Sequence, residues 1–297
     1  GIPFMLVTLG AQGVLRGASN YTTPMWVLLA SNLANLVMEI TFVWGLGWGL
    51  RGSAGSTVIS QVAAAAVFVR MVRRQLVGAS THRPAWSGMA PLMTAGRHLL
   101  LRVGSMLVIM SGSAAVAARI DDPTLAAHQI GMSLFTFIAL SLDALAIPAQ
   151  TLVAEDLGRD DVGAAAHVAR RAVVLSIAAG AGLAVLTGAL SPVLPRLFTD
   201  DRAVVERATG AVIWLAVLMI PAAIAFAYDG VLIGAADYRF LGRAALGYTV
   251  VLLPVAAVVL VWREVGIAGI WLAIGLWMCL RATVNHRRTA RVLGPVH

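Results

Sequence analysis

The chain has 297 residues, of which 59% are hydrophobic and only 12% charged, and its mean hydropathy is +0.85. A soluble domain carries about twice that share of charge, so the composition excludes a water-soluble globular protein and points to an integral membrane protein. The net charge is +8 and every basic residue is arginine, but the arginines fall between apolar spans, a pattern of membrane topology and not of nucleic-acid binding.

Apolar stretches of membrane-crossing length predict nine helices, at 1–15, 24–44, 52–70, 97–118, 124–154, 164–195, 207–235, 239–262 and 266–286. The expected fold class is therefore all-α, a polytopic transmembrane bundle. No signal peptide opens the chain. Gly1 is no initiator and the first residues read as the middle of a span, so an N-terminal part is expected to be missing. The connecting loops are short except 71–96 and 155–163. Alternate loops collect Arg16, Arg70, Arg73, Arg74, Arg83, Arg97, Arg159, Arg170, Arg171, Arg239, Arg243, Arg287, Arg288 and Arg291 on one side. Arg51, Arg119, Arg196, Arg202, Arg207 and Arg263 fall on the other, and Arg102 and Arg281 lie inside or at the edge of spans. That bias makes the first side cytoplasmic and puts the C-terminus inside.

Two stretches repeat. Gly13-Val14-Leu15-Arg16-Gly17-Ala18-Ser19-Asn20-Tyr21 returns as Gly230-Val231-Leu232-Ile233-Gly234-Ala235-Ala236-Asp237-Tyr238, identical at six of nine positions with an offset of 217. The same ungapped offset pairs Leu29 with Leu246, Gly49 with Gly266, Gly52 with Gly269, Arg70 with Arg287 and Arg74 with Arg291. A register held this long indicates two related halves. The copies sit in equivalent loops on one side of the membrane, so the repeats are parallel. Under this offset the first half lacks about three spans' length, which predicts twelve helices in two six-helix halves, the first incomplete. Residues 1–80 form the end of the first lobe, 81–96 the polar linker with Pro84, Ser87 and Gly88, and 97–297 the second lobe.

These segments, in their order and spacing, resemble the MATE (multidrug and toxic compound extrusion) family, in its DinF-like branch. Those that match are Gly13–Tyr21 with Pro24, Asn35 to Gly49, Gly52–Thr57, Ala126–Gly131, Leu142–Gln150 and Asp229–Ala235. The resemblance covers essentially the whole chain, which would start in the family's fourth helix. It implies a secondary antiporter that exports organic, often cationic, compounds in exchange for H+ or Na+. Alternating access would come from rocking of the two lobes. It implies no cofactor beyond the coupling ion, small organic substrates, a lipid bilayer as surroundings, no nucleic acid, a monomer, and a multi-pass place in a bacterial inner membrane. It also implies that Asn35, Glu39 and Thr57 form half of a cation-coupling site. Glu39 stands where many relatives carry Asp.

The residues support that reading on their own terms. Glu39, Asp143 and Asp229 are the carboxylates that fall deep in spans. A carboxylate in hydrocarbon costs several kcal/mol unless it is neutral, paired or hydrated, and a group so placed can take up and release a proton. Structural ion pairing is the competing role. Asn35 lies one turn from Glu39, and Thr57 on the next helix can add a hydroxyl. Asp143 is followed by Pro148 and Gln150, and a proline there kinks the helix. Asp229 precedes the second repeat motif, where its counterpart is Gln12. Arg102 is the expected counter-ion for either aspartate. Gln129, Gln150, Tyr228 and Met132 are candidates to line a cavity. Met89, Met93, Met106 and Met110 could also line an adaptable one, with packing in the core or against lipid as the competing, more common role of the methionines.

The remaining groups have plainer readings. His128 fits a hydrogen-bonded histidine near the outer face, and His82, His98, His167 and His286 sit near cytoplasmic ends. Trp44, Trp48, Trp262 and Trp271 read as interfacial anchors. Asp121-Asp122 and Asp200-Asp201 read as solvated loop charges. The lone Cys279 excludes a disulfide framework and a cysteine metal cluster. The chain carries no G-x-S-x-G, no H-E-x-x-H and no carboxylate pair close in sequence inside a span, which argues against an intramembrane enzyme. A lipid-linked precursor flippase of related architecture, or a membrane scaffold, are the alternatives. The first would need more arginines facing a lumen, and the second has no use for buried acids.

Overall fold

A computed structural model of the protein describes residues 1–18, 20, 22–75 and 86–294. Ser19, Tyr21, His82 and the 81–85 part of the predicted linker lie outside the described residues. The described residues form nine α-helices: α1 (Ile2–Gly17), α2 (Thr22–Ile40), α3 (Gly49–Gln75), α4 (Trp86–Ile120), α5 (Asp122–Gly158), α6 (Val162–Ala189), α7 (Arg202–Gly234), α8 (Tyr238–Val261) and α9 (Gly266–Leu293). Eight helical stretches are long and apolar enough to cross a membrane; Ile2–Gly17 is apolar but shorter. Helices satisfy every backbone hydrogen bond internally, which hydrocarbon demands.

Several bounds differ from those expected. The stretch 86–96, predicted as linker, is the first part of α4, although Pro91 removes one hydrogen bond there. The single span predicted over 164–195 ends at Ala189, and a 3-10 turn, Leu194–Leu197, follows. Pro192 and Pro195 lack the amide needed to continue the helix. The last turn before Gly45 is π-helical, at Thr41–Gly45.

The chain divides into two units, Gly1–Arg83 and Pro84–His297. In the first, Ala11 and Leu15 of α1 pack with Phe68 of α3 and with Val27 and Leu28 of α2. In the second, α7 is the central helix and touches α5, α6, α8 and α9. Glycines set its spacing to α5. A Cβ on Gly230 would lie 2.5 Å from the Ala146 carbonyl oxygen, and one on Gly234 would lie 2.3 Å from that of Gln150. Both contacts are with backbone, so α5 and α7 run side by side in the same direction at a distance only glycine permits.

The internal repeat is structural as well as sequential. The Asn20 amide donates to the Leu15 carbonyl at 3.0 Å, and 217 residues later the Asp237 amide donates to Leu232 at the same 3.0 Å. Ala18 to Val14 and Ala235 to Val231 repeat the preceding bond of the turn at 3.1 and 2.9 Å. A Cβ on Gly52 would meet Phe42, and one on Gly269 would meet Val259, again at the same offset.

Asp121 and Asp201, read as loop charges, are helix caps, and so is Asp161. Asp121 accepts from the Thr124 amide at 2.7 Å, Asp161 from Ala164 at 2.8 Å and Asp201 from Ala203 at 2.8 Å. Asp121 also pairs with Arg207 of α7 at 3.0 Å. Trp44, Trp48 and Trp262 are exposed, as anchors are, but Trp271 is fully buried. Its ring fills the space that a side chain at Gly131 would occupy, and stands edge-on to His128 at 6.0 Å. His128 is likewise fully buried and shares a hydrogen bond of 3.1 Å with Ser113.

Candidate functional site

In the first unit Glu39 sits near the end of α2, two residues before the π-helical turn. The Ser53 hydroxyl of α3 donates to its Oε1 at 2.8 Å. Thr57 is one turn further along α3, and its hydroxyl donates to the Ser53 carbonyl at 3.0 Å. Asn35 is on the same helix as Glu39 but makes no hydrogen bond to it among the described residues. Ser53, not Thr57, is thus the residue that holds Glu39 here. Irregular π turns recur at functional positions in helices, and this one begins two residues after the only acid of α2.

The second unit carries the larger cluster. Asp229 of α7 is 4% exposed and collects three groups from two other helices. Arg102 of α4 ion-pairs with its Oδ2. Arg281 of α9 donates to the same oxygen at 2.5 Å, and Asn285, one turn on, donates to Oδ1 at 2.5 Å. The Tyr248 hydroxyl of α8 in turn donates to the Asn285 side-chain oxygen at 3.3 Å. Arg281 is itself held between the Phe226 and Trp277 rings, at 5.3 and 5.0 Å from their centroids. Two guanidinium groups and an amide therefore compensate one carboxylate in the membrane interior, which is the condition for keeping such a charge ionised.

Asp143 of α5 belongs to the same neighbourhood but is handled differently. It lines a cavity of about 450 Å³ with Arg102, Met106, Met110, Gln150 and Asp229. It is within range of the charges of Arg102, Asp229 and Arg281, yet it makes no hydrogen bond or ion pair among the described residues. The cavity thus presents one fixed, paired carboxylate and one free carboxylate.

Of the other candidates, Gln150 lines this cavity, whereas Gln129 is exposed elsewhere on α5. Met132 packs against the main core. Tyr228 is buried, and its hydroxyl shares a hydrogen bond of 2.6 Å with His286 Nδ1. It ties α7 to α9 one residue away from the Asp229–Asn285 contact. Arg102 pairs with Asp229 and not with Asp143. Arg281, Asn285, Tyr248 and Ser53 were not anticipated. The available signal for the first two was a polar i, i+4 pair inside an otherwise apolar span, on one helix face. Among the described residues no group of three metal-binding side chains comes together.

The family model MatE matches residues 99–258, which is more than half of the chain. The chain belongs to the MATE family. It is similar to Protein DETOXIFICATION 44, chloroplastic, of Arabidopsis thaliana, with 30% identity over 99% of this chain and 56% of that protein. DNA damage-inducible protein F of Escherichia coli (strain K12) is 25% identical over 94% of this chain and 61% of its own length. The fold matches a multidrug resistance MATE family transporter of the MOP superfamily in its outward-facing conformation. There the TM-score is 0.85 and the identity 17%, over 95% of this chain and 65% of the other. The chain spans a little over half the length of the relatives it matches. These similarities make it a multi-pass MATE membrane protein, a family of transporters and not of enzymes.

Proposed function

We propose that this MATE protein acts in a secondary antiporter that exports small organic, often cationic, compounds in exchange for H+ or Na+. Its named relatives include a multidrug and toxin extrusion protein of Danio rerio, and its fold neighbours include a multidrug resistance transporter. The observation that carries the reading is the free carboxylate of Asp143 on a cavity wall shared with the paired carboxylate of Asp229. A cation or proton can be drawn to Asp143 without breaking an existing ion pair. Asp229, doubly paired, serves as a fixed charge that sets the field in the cavity. Glu39, held by the Ser53 hydroxyl, is the acid that the first unit contributes.

In this reading, occupancy of these acids differs between inward-open and outward-open states, since an ion that binds both states equally drives nothing. The setting is a bacterial plasma membrane, with the arginine-rich ends and the C-terminus inside. A lipid-linked precursor flippase is less well supported, because Arg102 and Arg281 are both engaged with Asp229 and neither is free for a pyrophosphate. The experiment is transport of a fluorescent organic cation by the protein reconstituted in liposomes, with an H+ gradient, a Na+ gradient or neither imposed. Antiport predicts uphill movement with one of the gradients and none without. Equal movement in all three conditions would refute it.

A further inference from the structure

We propose that Arg97, His98, Arg239 and Arg243 form a binding site for the phosphate of an anionic phospholipid at the membrane surface. None of these residues takes part in the carboxylate sites above. Arg97 and His98 are on α4, and Arg239 and Arg243 are one turn apart on the first turns of α8. The two helices are clamped together at this level by Gly242. A Cβ there would lie 2.8 Å from the His98 carbonyl oxygen and 3.3 Å from its Cα. The glycine thus fixes α8 against His98 and brings both of its arginines within electrostatic range of the ring.

Three features mark the place as an anion site. His98 is only 9% exposed, and both of its ring nitrogens are buried without a hydrogen-bond partner among the described residues. A buried polar group left unpaired costs about 1–3 kcal/mol, and a phosphate oxygen drawn in by the arginines would relieve that cost. Arg97, Arg239 and Arg243 are exposed, their charges all act on His98, and none has an ion-pair partner among the described residues. The nearby acid is already committed, since Asp237 pairs with Arg288 at 2.6 Å. The N-terminus of α8 adds to the positive field, because the Asp237 side chain makes no capping bond to it.

The depth selects a lipid. Arg239 and Arg243 occupy the first turns of the apolar helix α8, and together with Arg97 they belong to the arginine-rich side of the loops, which puts the four basic residues at headgroup level. Beyond them Leu100 and Val250 are 74 and 64% exposed and offer apolar surface to an acyl chain. Basic sites between transmembrane helices at this level recognise anionic headgroups.

The test is native mass spectrometry of the detergent-purified protein with dioctanoyl phosphatidylglycerol, compared with dioctanoyl phosphatidylcholine. The expected result is a phosphatidylglycerol adduct that Arg97→Gln/Arg239→Gln/Arg243→Gln weakens at least tenfold. Arg70→Gln/Arg73→Gln/Arg74→Gln, which neutralises an equally exposed arginine cluster without a buried histidine, leaves it unchanged. The exposed pair Arg239→Gln/Arg243→Gln, checked for folding by size-exclusion chromatography, should lose most of the thermal stabilisation that phosphatidylglycerol confers. Equal loss in the control triple variant would show bulk charge and overturn the site. So would equal binding of the two lipids, or full competition by millimolar inorganic phosphate, which would assign the site to a soluble anion.

Discussion

Arg281 and Asp229 meet at 2.5 Å across the α7–α9 interface, with 3% and 6% of their side chains exposed. Arg102 engages the same carboxylate oxygen from α4. The three charges are therefore not equivalent. Loss of either arginine leaves Asp229 one guanidinium partner, whereas loss of Asp229 leaves two arginines without the carboxylate that pairs them, and with Asp143 as the acid in range. Removing one member of a buried pair typically costs about 3–5 kcal/mol. Asp229→Asn is expected at the upper end of that range, and Arg102→Gln or Arg281→Gln each below it. Thermal unfolding in detergent of the three variants gives the order directly. An Arg281→Gln loss as large as that of Asp229→Asn would contradict it.

The glycine contacts predict an asymmetry between the two copies of the repeat. Gly230→Ala and Gly234→Ala push a methyl into the α5 backbone and should each destabilise by about 1–3 kcal/mol. Gly13 and Gly17 hold the matching positions, but a Cβ on either meets nothing within 4 Å. Gly13→Ala and Gly17→Ala in this chain are expected to be neutral, or to gain up to about 1 kcal/mol from helix propensity. Melting temperatures of the four single variants settle the comparison.

The cap at Asp121 carries a pH dependence. Partial burial pushes its carboxyl up, but hydrogen bonds from Thr124 and the charge of Arg207 outweigh that and hold it below its ordinary value of 3.8. A depressed folded value means that the stabilisation is complete above 3.8 and is lost as pH falls below it. Asp121→Ala should cost about 1 kcal/mol at neutral pH, and the difference from wild type should shrink on acidification below that value. Unfolding curves at neutral and acid pH test both parts.

In the first unit, Glu39→Gln keeps an acceptor for the Ser53 hydroxyl and removes only the charge. It should preserve the fold while abolishing or shifting the pH dependence of efflux. Unchanged efflux with an unchanged pH profile would exclude Glu39 from coupling.

The spans were legible because period and length survive in an apolar sequence, and the repeat because its turn needs the same residues twice. Glu39, Asp143, Asp229 and Arg102 stood out because charge in a span is costly. Arg281 and Asn285 were harder to assign. Their partner is 52 and 56 residues away, and nothing local indicates which acid they meet. Trp271 was read as an anchor from its place near a span end, since the glycine that admits it, Gly131, belongs to another helix. The end of α6 and the start of α4 were misplaced by proline. Pro192 and Pro195 follow a helix end inside an apolar run, whereas Pro91 is accommodated within a helix.

The central claim is that the free carboxylate of Asp143 couples ion and substrate movement. The most direct measurement compares gradient-driven uptake of an organic cation with its counterflow exchange, in liposomes carrying wild type or Asp143→Asn. Exchange needs the cavity and the conformational cycle but no net ion movement. The expected result is at least a tenfold loss of gradient-driven uptake in Asp143→Asn with exchange retained. Gradient-driven uptake at the wild-type rate in Asp143→Asn would contradict the account.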